Sequence, residues 1–69
     1  MTRTPVISSQ ISAVGYDPEK RKLEVQFKNG SVYEYDDVPE AIHAELVSAP
    51  SVGAYFNAYV KFGFIYRKL

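Results

Sequence analysis

Cysteine is missing from the 69 residues, which excludes disulfide bonds and thiolate metal sites. A net charge is missing too: eight lysines and arginines balance eight aspartates and glutamates. That balance argues against strong nonspecific binding to phosphate backbones, which needs an excess of cations, but leaves room for a local basic patch. No apolar run approaches the ~20 residues of a membrane-spanning helix. The opening Met1-Thr2-Arg3-Thr4-Pro5 lacks the apolar core of a signal peptide, so the chain reads as soluble and cytoplasmic. There is no internal repeat or low-complexity tract. Nucleophile–base, paired-carboxylate and phosphate-cradling glycine motifs are absent as well, so neither catalysis nor a cofactor is expected.

What remains is a single small domain over residues 1–69, opened by a lead-in of residues 1–9. A chain this short buries only roughly 60% of its unfolded surface and is marginally stable without help. The help on offer is aromatic: six tyrosines and four phenylalanines, each able to bury a large area. Dimerisation is the other source of stability open to it.

The strongest local signal is Leu23-Glu24-Val25-Gln26-Phe27-Lys28-Asn29-Gly30-Ser31-Val32-Tyr33-Glu34-Tyr35, two alternating runs joined by Asn-Gly. Leu23, Val25 and Phe27 share one strand face. A two-residue Asn29-Gly30 turn would set Val25 opposite Glu34 and send Tyr33 and Tyr35 out of the core. A three-residue loop, Lys28-Asn29-Gly30, instead pairs Phe27 with Ser31, Val25 with Tyr33 and Leu23 with Tyr35. It needs a left-handed residue last, and Gly30 adopts that conformation without steric cost. The bulged loop is therefore expected.

Before this hairpin, residues 10–16 read as a strand. Asp17-Pro18-Glu19-Lys20 is a type I turn signal. A loop of Pro18 to Arg21 pairs Tyr16 with Leu23 and Val14 with Val25, leaving Ile11 and Ala13 on the opposite face. A competing register buries Ile11 and Ala13. Val6 and Ile7 in the lead-in are expected against the core. After Tyr35 the period changes. Asp37-Val38-Pro39-Glu40 starts a helix with Pro39 at its first position and Val38, Ile42, Leu46 and Ala49 near one face. Pro50 stops it. Ser51 caps a second helix with Val52, Tyr55, Phe56, Tyr59 and Val60 at helical spacing, ended by Gly63. Phe64 to Leu69 form a tail too apolar to be free, suited to an extended segment at the sheet edge. The expected architecture is α+β: a three-stranded antiparallel meander, two short helices on one face and an extended C-terminal tail. Leu23, Val25, Phe27, Ile42, Leu46 and Phe56 should be the most buried residues.

Val14-Gly15-Tyr16-Asp17-Pro18, Leu23-x-Val25-x-Phe27-x-Asn29-Gly30, Val32-Tyr33-x-Tyr35-x-x-Val38-Pro39 and Ser51-x-Gly53-x-Tyr55-Phe56-Asn57 together resemble the KTSC domain family, from about Ile11 to Leu69. That family is named for the C-terminus of some lysyl-tRNA synthetases and also occurs as a stand-alone domain. Tyr33-Glu34-Tyr35 corresponds to its Tyr-x-Tyr motif. The resemblance implies the α+β fold and, through the synthetase context, RNA as a partner.

Each functional reading has a structural rival. Tyr33 and Tyr35 could be stacking platforms for bases, but the register puts them under the helices as packing residues. Lys61-Phe62-Gly63-Phe64-Ile65-Tyr66-Arg67-Lys68 interleaves cations and rings as a single-stranded nucleic-acid groove does. Alternatively, its rings pack inward and Lys61, Arg67 and Lys68 are solvated. Lys20-Arg21-Lys22 could extend the patch or simply decorate a turn. The start of the second helix, from Val52 to Ala54, has free N–H groups that could hold an anion, with Gly53 allowing close approach of a ligand or of a neighbouring strand. Asn57 could read a base edge or bond a loop carbonyl. Asp36, Asp37, Glu40 and His43 are better explained as helix N-terminal charges and an exposed helix residue than as metal ligands.

The resulting expectation is a small non-catalytic binding module for tRNA-like RNA. Lys61, Phe64, Tyr66, Arg67 and Lys68 are its candidate contacts, with Asn57 secondary. The alternative is a protein-interaction or homodimerisation module that uses a sheet edge and the aromatic surface.

Overall fold

The computed structural model describes residues 1–69. Five antiparallel strands lie in chain order: β1 (Arg3–Pro5), β2 (Ile11–Asp17), β3 (Lys22–Phe27), β4 (Val32–Tyr35) and β5 (Tyr66–Lys68). This corrects the three-stranded expectation. The central meander is present, and both terminal segments add a strand to it. The reason is hydrogen bonding. A three-stranded sheet would leave the outer N–H and C=O rows of β2 and β4 unpaired. The lead-in pairs Thr4 with Val14, and the tail pairs Glu34 with Arg67. The Asp36 and Leu69 amides extend the last ladder by donating to the Ile65 and Val32 carbonyls.

Both hairpins adopt the expected registers. Val25 faces Tyr33 and Leu23 faces Tyr35, while Val14 faces Val25 and Tyr16 faces Leu23. The second loop closes with the Phe27 amide donating to the Ser31 carbonyl at 2.8 Å and the Gly30 amide to the Phe27 carbonyl at 2.9 Å. Gly30 sits at φ +93°, where a side chain is strained.

The start of β2 departs from expectation. The ladder runs Ala13 to Gln26 and then Ile11 to Phe27, so Ser12 is the extra residue of a β-bulge. One extra residue reverses the face of everything before it. Ile11, expected on the outer face, is therefore fully buried in the core with Val14. Ile7 is also corrected: Val6 packs against the core, but Ile7 is 99% exposed.

Helix α1 (Glu40–Ser48) begins one residue later than expected, because Pro39 is extended (ψ 148°) and acts as the cap. Helix α2 (Val52–Tyr55) is capped by Ser51, whose hydroxyl accepts from the Ala54 amide at 3.2 Å. It continues into a π-helical turn, Phe56–Val60, in which the Lys61 amide donates to the Phe56 carbonyl. The sequence pattern had pointed to an unbroken α-helix here. Val38, Leu46, Val52, Phe56 and Val60 close over Leu23, Val25 and Tyr35 on one sheet face. Phe27 and Ile42 only flank this core as half-buried residues, whereas Leu23, Val25, Leu46 and Phe56 lie within it as expected.

Candidate nucleic-acid interface

Cross-strand neighbours share a sheet face, and this sorts the C-terminal residues into two groups. Arg67 lies opposite Glu34, which lies opposite Glu24, so Arg67 belongs to the face without helices. Tyr66 lies opposite Tyr35 and Lys68 opposite Tyr33, on the helix side. A strand alternates its side chains, so one contiguous stretch cannot present Tyr66, Arg67 and Lys68 to one ligand face.

The open face is an ion-pair network. Glu34 Oε1 accepts from Arg67 at 2.7 Å, and Lys22 Nζ donates to Asp36 Oδ1 at 2.7 Å. Longer pairs link Lys22 to Glu34 and Arg67 to Asp36, and Arg3 binds Glu24 at 2.9 Å. The hydrogen bond from Lys22, reinforced by the Arg67 charge, holds the Asp36 carboxyl below its usual range. The bond to Asp36 likewise raises Lys22, and the bond to Glu34 raises Arg67. Arg21 pairs with Asp37 at 3.1 Å. Lys20, Lys28, Lys61 and Lys68 form no ion pair.

The helix side holds a different arrangement. Between the β3–β4 hairpin, β5 and the π turn is a cavity of about 320 Å³. Its walls are aromatic. Phe27 meets Tyr33 and Phe56 edge-on at centroid distances of 5.7 and 5.4 Å, and Tyr66 tilts against Tyr35 at 5.5 Å. Tyr35 is buried, and that burial, with Tyr66 and Tyr33 adding to it, pushes its hydroxyl up to about 12. Tyr33 is half-buried, and both motif tyrosines line the cavity, Tyr35 from within the core. Asn57 and Lys61, one π turn apart, face the same space. Lys61 Nζ stands 5.4 Å from the Phe62 ring, a cation–π distance. The cavity lining includes Lys61 and no carboxylate.

Asn57 is exposed, and its side-chain oxygen accepts from Gln10 Nε2 at 3.4 Å; the expected bond from its amide to a loop carbonyl is not formed. Gly53 permits this approach: a Cβ there would come within 3.3 Å of Ser8 Oγ and 3.4 Å of Gln10 Nε2. The close neighbour of Gly53 is thus the chain leading into β2. Phe64 is half-buried against the core and takes no part in the cavity. The structure therefore brings Tyr33, Tyr35, Asn57, Lys61 and Tyr66 together, sets Lys68 beside them on the same face, and separates Arg67. Gln10, Phe27, Phe56 and Phe62 were missed as cavity residues. Their signal was weak because the bulge that sets the β2 entry and the π turn that aims Asn57 and Lys61 are not legible as sequence periods.

Of the clustered ligand-type residues, two acids are paired within the chain and the histidine, expected to be exposed, is half-buried. Asp36 and Asp37 hold cations, and His43 is stacked on Tyr16 at 4.8 Å and 9°. Burial lowers the pKa of His43. No three potential ligands converge. No helix is long and apolar enough to cross a membrane.

The fold and cavity define a class: small α+β domains with a five-stranded meander, two short helices on one face and an aromatic recess at the sheet edge. Residues 7–64 match the KTSC domain profile, and the chain belongs to the KTSC domain family. A crystal structure of a KTSC domain protein from Yersinia pestis superposes with a TM-score of 0.93 at 45% identity, covering 99% of this chain and 96% of that one. An uncharacterised protein of Stutzerimonas stutzeri is 41% identical over 61 residues, 88% of this chain and 86% of its own length. A lysine–tRNA ligase of Nostoc sp. is 43% identical over 61 residues, again 88% of this chain but only 11% of the ligase.

Proposed function

We propose that this domain is a non-catalytic RNA-binding module whose contacts lie on the helix side of the sheet. The observation that carries the reading is the asymmetry of charge. Lys61 and Lys68 are free of carboxylates and sit beside an aromatic cavity, whereas Arg67 is held by Glu34 and Asp36 on the other face. Free cations beside exposed rings suit phosphate contact combined with base stacking. Arg67 would have to leave two carboxylates first, so it drops from the expected contacts. The match to a segment of proteins named lysine–tRNA ligase supports RNA as the ligand class.

The test is a salt titration of binding to a tRNA and to single-stranded RNA. Phosphate contacts predict binding at low salt that weakens linearly in log–log form as salt rises. No binding at low salt would refute the proposal. A second reading, protein association along β5, is favoured by Ile65 and Leu69, which are 79% and 60% exposed beside that edge strand. Such an interface would respond little to salt.

A further inference from the structure

The cavity itself suggests a specific ligand group. We infer that the recess between the β3–β4 hairpin, β5 and the π turn receives one unstacked nucleobase, its edge read by the Gln10–Asn57 amide pair and its phosphate held by Lys61. This rests on the RNA reading above and adds a site to it.

Three observations carry it. The volume, about 320 Å³, lies at the small end of the range for ligand pockets, so it suits a single ring system rather than a peptide segment. Its surfaces match a flat π-system. Tyr33 and Tyr66 line it with rings 5.7 Å apart and tilted by 50°, and Phe62, 87% exposed with no aromatic partner, stands with Lys61 at the rim. Its polar groups match a base edge. The bond from Gln10 Nε2 to Asn57 Oδ1 leaves the Asn57 amide protons and the Gln10 carbonyl without partners. The linked pair thus keeps donors on Asn57 and an acceptor on Gln10, the two kinds of group with which carboxamides read bases.

Charge selects the ligand further. An aromatic cage for an alkylammonium group would be expected to carry a carboxylate or no charge, whereas this one carries Lys61 alone. A nucleotide supplies the complementary anion. The base could come from an RNA strand or a free nucleotide, and the experiment separates these sources.

The full chain is titrated with single-stranded A6 and U6 RNA, with an RNA duplex and with AMP and UMP. NMR follows the tyrosine rings and the Asn57 side-chain amide. The inference predicts that the single strands shift Tyr33, Tyr66 and Asn57 signals and that the duplex leaves them in place. Phe62→Ala and Asn57→Ala are the variants of choice, because both side chains are exposed and the fold does not depend on them. Phe62→Ala should weaken single-strand binding on the order of tenfold without changing the salt slope. If both variants bind single strands like the parent and the cavity signals stay still, the base pocket is refuted while the RNA reading stands. If AMP or UMP moves the cavity signals and no RNA binds, the pocket stands and the RNA reading falls. Silence from every probe overturns both.

Discussion

On the covered face, Val14, Leu23, Val25 and Tyr35 are almost wholly removed from water by the two helices. On the open face the same strands present Lys22, Glu24 and Glu34, which bond to one another's neighbours and to Arg3 and Arg67. One face is stabilised by buried apolar area, and the other carries paired charges. The lesson concerns cations. Each cation on the open face has a carboxylate to answer it, and away from the hairpin tips, which carry Lys20 and Lys28, the lysines left for an external anion, Lys61 and Lys68, are on the helix side. Adjacent residues in one strand, Arg67 and Lys68, therefore have different prospects as contacts.

Leu46, on the inner side of α1, is fully buried, so Leu46→Ala should cost on the order of 2–5 kcal/mol, a large share of what a domain this size has. Chemical denaturation measures it, and a variant that melts like the parent would mean that α1 does not seal the covered face.

The sorting of faces depends on the hairpin register, which Gly30 fixes. Gly30→Val should cost about 1–3 kcal/mol through backbone strain, since nothing lies within 4 Å of the added Cβ to clash. An unchanged denaturation midpoint would show that the loop tolerates another conformation.

Alkaline pH probes the covered face again. Burial raises the Tyr35 hydroxyl from 10.0 to about 12. A group whose folded pKa is raised contributes stability that is intact below the unfolded value and lost as pH climbs from 10 toward 12. Tyr35→Phe should flatten that alkaline loss in thermal melts. A loss of equal steepness in the variant would assign it to other groups.

The smallest effect belongs to the open face. The Lys22 hydrogen bond lowers the Asp36 pKa, so its contribution is present above the ordinary aspartate value, near about 4, and fades as pH falls through the lower folded value. Asp36→Asn should make the acid limb of a stability–pH curve slightly shallower and change little at neutral pH, as exposed pairs usually do.

Much of this was readable from residues alone. The alternation in Leu23 to Phe27 and in Val32 to Tyr35, with glycine at the loop's end, determines both register and face because one choice alone buries the tyrosines. The first hairpin followed from Asp17-Pro18 in the same way. What escaped were features without a period. The Ser12 bulge moved Ile11 into the core. The tail was legible as an extended segment at the sheet edge, but its register and the pairing of the lead-in were not: at three residues each the terminal strands are too short to show alternation, and they form because the sheet's edges need partners. The cavity escaped for a related reason. Gln10, Phe27 and the pair Asn57 and Phe62 are far apart in sequence and meet only once the bulge, the close approach at Gly53 and the π turn are in place. Arg67 looked like a free cation because its partners, Glu34 and Asp36, become neighbours only through β5.

The most direct test of the account compares the two faces in RNA binding. Single-stranded RNA affinity is measured across a salt series for the parent, for Lys61→Ala/Lys68→Ala and for Arg67→Ala. The account predicts that the double variant loses affinity and that its log–log salt slope shrinks by roughly 1.4, at ~0.7 per phosphate contact, while Arg67→Ala retains both. Loss of affinity and slope in Arg67→Ala, with the double variant binding like the parent, would contradict it.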